Sequence, residues 1–217
     1  ARSHQEGASV LWGEFNKDYV WSGGTSMATP LVSGSVALVR QFYHETYQLE
    51  FISAALIKAT LINGADDLYP GQFGFGSVLE IPTRRPNHHE GWGRVDLENA
   101  LFSPYRSLRF VDEEKGVATQ EVMDYHITVR NVGEPLRVTL VYTDYPGSVQ
   151  SELALVNDLD LEIVSPGGRQ FFPNGLTSPD RVNNVETIDI DTPEQGDYVV
   201  RVRGYNVPEG STVGSQP

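Results

Sequence analysis

The 217-residue chain carries 29 Asp and Glu against 16 Lys and Arg, a formal net charge of −13, and no cysteine. That charge opposes binding to nucleic-acid phosphates or an anionic membrane surface, and no run of about 18 apolar residues is long enough for a membrane-spanning helix. Without cysteine there are no disulfides, thiolate metal sites or cysteine nucleophiles.

Ala1-Arg2-Ser3-His4 lacks the apolar run of a signal peptide, and the chain reads as a piece of something longer. Helical spacing starts near Ser26 and continues to about His44, with Pro30 in the opening turn, where a missing N–H costs little. Its apolar residues, among them Met27, Leu31, Val36, Leu38 and Val39, go nearly all the way round, which predicts packing on several sides inside a larger body. A second helix is predicted from Ser53 as N-cap to Asn63-Gly64. A loop rich in Gly and Pro spans roughly 65–94, and a short helix over 96–102 opens on Asp96. From Leu108 the period changes to two. Strands are predicted at 108–112, 117–120, 123–131, 136–143, 159–164, 169–172, 185–190 and 197–204, separated by turn signals such as Pro166-Gly167-Gly168. So many short strands without a helix between them predict an antiparallel sandwich or jelly roll over 107–217, following a helix-bearing part, 1–106. Alternation turns many of the aromatic residues Tyr125, Tyr142, Tyr145, Phe171, Phe172 and Tyr198 inward, which favours core packing over a binding platform.

The stretch Gly23-Gly24-Thr25-Ser26-Met27-Ala28-Thr29-Pro30 carries the chemistry. A serine hydroxyl attacks only when it is held rigidly, relieved of its proton and given donors for the resulting oxyanion. Glycines permit a tight backbone unobstructed by side chains, and a helix N-terminus supplies unpaired N–H groups. On spacing alone Ser26 reads first as an ordinary N-cap. Gly24-Thr25-Ser26-Met27-Ala28-Thr29-Pro30, however, matches the nucleophile motif of the subtilisin-like serine peptidases residue for residue. Leu56-Ile57-Lys58-Ala59-Thr60-Leu61 and Gly91-Trp92-Gly93-Arg94-Val95-Asp96 resemble later segments of that catalytic domain. Leu155-Val156-Asn157-Asp158-Leu159-Asp160-Leu161, Asn183-Asn184-Val185-Glu186 and Tyr205-Asn206-Val207-Pro208 resemble the oxidatively stable alkaline branch, which bears a C-terminal jelly roll.

The resemblance implies an α/β catalytic remnant followed by an all-β jelly roll short of its last strand. It makes Ser26 the acylating nucleophile, with Thr25, Gly24 and Met27 beside the oxyanion hole. Protein or peptide is the implied substrate and the extracellular space the implied location. The family's Asp, His and oxyanion Asn motifs precede the serine. None of them occurs in the 25 residues before Ser26, so the fragment alone is expected to be inactive and to need the upstream part of the same peptidase.

Asp158, Asp160 and Glu162 alternate with apolar residues and share one face of a predicted strand. A solvated outer face explains Glu162. For the others, mutual repulsion would be relieved by a hard cation, with oxygens close by in sequence. The resemblance implies structural calcium, for which the candidate ligands are Asp158, Asp160, Asp180, Asn184 and Glu186. His88-His89-Glu90 lacks the spacing of a zinc helix.

Overall fold

Alternating apolar side chains organise the second half of the chain into antiparallel ladders. The computed structural model describes residues 14–16, 19–20, 23–76, 79–104, 106–210 and 215–216. In chain order the elements are strands β1 (Glu14–Asn16) and β2 (Tyr19–Val20), helices α1 (Thr25–Tyr47) and α2 (Ala54–Gly64), and a π-helical turn (Glu98–Phe102). Eight further strands follow: β3 (Val117–Ala118), β4 (Val122–Val129), β5 (Leu136–Val141), β6 (Asp158–Val164), β7 (Gln170–Phe171), β8 (Val185–Ile190), β9 (Gly196–Asn206) and β10 (Ser215–Gln216). The result is a mixed fold of helix and antiparallel sheet. It divides into two compact units, one of residues 1–52 and 64–102, the other of 53–63 and 103–217.

In the first unit, α1 holds through its C-terminal half. Val39 and Tyr43 are buried, and Phe42 meets Phe102 edge-on with ring centroids 5.2 Å apart. Its N-terminal half has no buried residue, and Leu31 and Leu38 are 61% and 51% exposed. The all-round packing expected for this helix is thus absent among the described residues of the unit, which cover only its last turns. The Gly91–Asp96 segment closes the unit. Asp66 and Arg94 exchange backbone hydrogen bonds and an ion pair of 2.6 Å, and the Asn99 amide donates to Asp66. Asp96 accepts the Asn99 N–H and so caps the short turn as its position predicts.

In the second unit a four-stranded sheet runs β4-β9-β6-β7, and β5 pairs with β8 in a separate ladder. Leu159, Leu161 and Ile163 of β6, Tyr198, Val200 and Val202 of β9, Ile188 and Ile190 of β8, and Tyr142 after β5 meet in one core. Tyr142 and Tyr198 are core residues, as alternation predicts. The β6–β7 connection turns on Gly168, whose φ of +81° suits glycine, at the predicted Pro-Gly-Gly signal.

Side chains finish what backbone pairing leaves open. On the edge of β6 away from β9, β7 covers only Ile163 and Val164. Nearer the start of β6, Glu186 accepts the Leu161 N–H at 2.6 Å, and the Tyr142 hydroxyl donates to the Asn157 carbonyl and accepts, at 3.5 Å, from Leu159. Unpaired edge N–H groups are costly when buried, so these contacts tie the β5–β8 ladder to the larger sheet.

The expected strand at 108–112 does not form. Its polar atoms serve other elements. The Asp112 carboxylate accepts the N–H and hydroxyl of Ser53, and Arg109 donates to the His126 carbonyl. Ser53 in turn caps α2 by accepting the Leu56 N–H at 2.9 Å. The Asn63 amide donates to the Arg137 carbonyl and the Thr139 hydroxyl of β5, which explains why this helix groups with the sheets rather than with its sequence neighbours.

Candidate active site and acidic cluster

Gly24 precedes α1 with a φ of 130°, a conformation that residues bearing a Cβ rarely adopt. Its carbonyl accepts the N–H groups of Met27 and Ala28, each at 3.1 Å. That geometry leaves Thr25 and Ser26, the first two helical residues, with N–H groups that have no acceptor in the helix and lie at its positive end. Both side chains are exposed, whereas Met27 is half-buried. The Thr29 hydroxyl donates to the Thr25 carbonyl at 2.8 Å and secures the opening turn. A hydroxyl and two free donors therefore sit together where charge develops when a carbonyl is attacked.

A base must also reach that hydroxyl. Among the described residues no hydrogen bond reaches Ser26 Oγ. His44 lies 18 positions further along the same helix, about 27 Å at 1.5 Å per residue. His88 and His89 are exposed loop residues, His126 is exposed on β4, and His4 lies outside the described residues.

The acidic candidates occupy the second unit. Asp158 and Asp160 stand on the face of β6 opposite the core, as their spacing predicts, yet both are buried rather than solvated. The Arg181 guanidinium covers them. Its Nη1 pairs with Asp158 Oδ1 at 3.3 Å and with Asp160 Oδ1, and its Cζ stacks 3.7 Å from the Tyr205 ring centre. Burial dominates at Asp158 and raises its pKa to about 6, against the attraction of Arg181.

Asp180 is saturated with donors. Oδ1 accepts the N–H groups of Val182 and Asn183, and Oδ2 accepts the side-chain amides of Asn183 and Asn174, at 2.8–3.1 Å. Burial opposes ionisation, but those donors outweigh it and keep the carboxyl below its ordinary value. Asn184 donates its amide to the Tyr142 carbonyl. Glu186 is 0% exposed, and burial pushes its pKa up to about 9 despite the Leu161 N–H. Its Oε1 finds no hydrogen-bond partner among the described residues.

Structure thus brings Asp158 and Asp160 together around an arginine, saturates Asp180 with donors, and ties the Asn184 amide and one Glu186 oxygen to backbone partners. Among the described residues no three His, Asp or Glu side chains converge in a way that would hold a metal ion. Calcium takes six to eight oxygens, and here Arg181 engages Asp158 and Asp160 while donors saturate Asp180. The sequence reading passed over Arg181. Its signal was a lone cation directly after Asp180 and three residues before Asn184.

Comparison with known proteins bears on the serine. Residues 9–93 match the subtilase family model. Two similar proteins of Dictyostelium discoideum are the serine protease/ABC transporter B family proteins tagA, 29% identical over 85% of this chain, and tagD, 27% identical over 86%. The matches take up 11% and 13% of those relatives, so the chain spans only a small part of their length. The matched segment contains the Ser26 motif and all of α1 and α2.

Proposed function

We propose that this chain is part of a subtilisin-like serine endopeptidase in which Ser26 forms the acyl-enzyme. The observation that carries this is the exposed Ser26 side chain at the open end of α1, on a turn set by Gly24. Its oxygen attacks the substrate carbonyl, the carbonyl oxygen becomes an oxyanion near the Ser26 N–H, and the amine leaves with a proton delivered by a histidine. Water then releases the acyl group by the same route in reverse. The histidine, its aspartate and a second oxyanion donor come from the upstream part of the same peptidase, which also supplies the cover for the apolar faces of α1. By family resemblance the enzyme works outside the cell and belongs to the jelly-roll-bearing branch.

Alone, the chain does not turn over substrate. Losing the histidine costs on the order of 10⁶ in kcat, a magnitude measured on subtilisin itself. The test is a fluorophosphonate probe applied to the parent protein, with the labelled peptide mapped. Label on Ser26, lost with peptidase activity in Ser26→Ala, is the expected result. Label elsewhere, or an active Ser26→Ala variant, overturns the reading.

A stabilising role for the β-rich unit is favoured by α2. This helix lies inside the segment matching the family model, yet it is capped through Asp112 and bonded to β5 through Asn63. The sheets and part of the peptidase sequence therefore fold as one body.

A further inference from the structure

We propose that Arg181 is a built-in counter-cation for the Asp158–Asp160 pair, so that the β-rich unit keeps its fold without calcium. Two carboxylates two residues apart on one strand face repel each other, and burial strengthens that repulsion. Either an external cation or an internal one must offset it. Here Nη1 of a single guanidinium contacts both Asp158 and Asp160, while the flat face of the group lies on Tyr205. This is a stacked, planar contact that suits arginine better than lysine.

The rest of the surface follows the same plan. Sheet register places Arg203 opposite Asp160 and Arg201 opposite Glu162, and Arg201 also holds Asp124 in a fork of 2.8 and 2.9 Å. Cations from this chain thus stand beside each acid of β6. The segment bearing Arg181 is itself fixed, since Asp180 is gripped from both sides by Asn174 and by the Val182–Asn183 backbone. Asn174 sits in the left-handed region at φ 54°, and its amide oxygen accepts the Thr187 N–H. Arg181 is therefore held over the acids by β8 and not left as a mobile surface side chain.

The test compares thermal midpoints of the full chain in excess calcium chloride and in excess EGTA. The wild-type midpoint is expected to be the same in both. Arg181→Gln is expected to lower it by about 4 °C or more in EGTA. Calcium then either restores part of the loss, acting in place of the guanidinium, or restores nothing. Both results support the counter-cation role. Arg181→Lys keeps the charge without the planar stack on Tyr205 and retains more of the midpoint than Gln, which also provides the readout if the Gln variant does not fold. A wild-type midpoint that rises with calcium overturns the proposal. So does an Arg181→Gln variant as stable as wild type, or equal losses in the Lys and Gln variants.

Discussion

Residues 25–38 of α1 and strand β6 both carry large apolar side chains, and they end up in opposite states. Leu159, Leu161 and Ile163 of β6 are at most 3% exposed, whereas Leu31 and Leu38 of α1 are more than half exposed. The difference is not one of hydrophobicity. β6 finds β9 beside it and β8 across the core within the same chain, while among the described residues α1 is buried only at Val39 and Tyr43. An apolar segment is buried by its partners, and a helix apolar on most sides needs more of them than a strand buried on one face.

Substitutions on each side sharpen that contrast. Ile163→Ala removes a fully buried side chain and is expected to cost about 2–5 kcal/mol in denaturant unfolding, the largest stability loss among these changes. A loss below 1 kcal/mol would mean that the core is loosely packed and the contrast weaker than the contacts indicate.

Glu186→Gln tests the carboxyl that links the ladders. Its folded pKa of about 9 lies above the ordinary 4.5, and the charges of Asp160, Asp180 and Asp158 add to the effect of burial. The folded state therefore keeps a proton that the unfolded chain has lost. The resulting stability is fully present below about pH 4.5 and is lost as pH rises toward 9. Thermal midpoints of wild type are expected to decline by a few degrees relative to Glu186→Gln across that window, and parallel curves would refute the assignment.

The smallest effect is expected on the open side. Leu38→Ser in this chain changes stability by no more than about 0.5 kcal/mol, because the side chain is already half in water. In the parent protein the same change is expected to cost about 1.5–3 kcal/mol, the value of a buried leucine, if the proposed upstream cover lies over it. Equal effects in the two proteins would break the comparison and remove the argument for that cover.

Much of this was legible in the residues themselves. Period-two spacing located β4, β5, β6, β8 and β9, because alternation reports one buried face whatever that face packs against. Ser53 and Asp96 announced their caps through short-range hydrogen bonds that involve only a few residues. The Ser26 motif was legible for the same local reason, since the Gly24 turn and the helix end set the backbone at Ser26 through short-range hydrogen bonds.

Partnership across the chain was decided only by the tertiary structure. Asp112 reads as the end of a strand, but the demand of Ser53 for an acceptor turned it into an anchor. Asp158, Asp160 and Glu186 are candidate calcium ligands by family resemblance. Folding placed an arginine over the first two and turned the third against the edge of β6. Composition and spacing determined which groups this protein has and which way each strand faces. Which charge meets which is a matter of Coulomb attraction and hydrogen bonding at a few ångströms, and only the folded chain sets those distances.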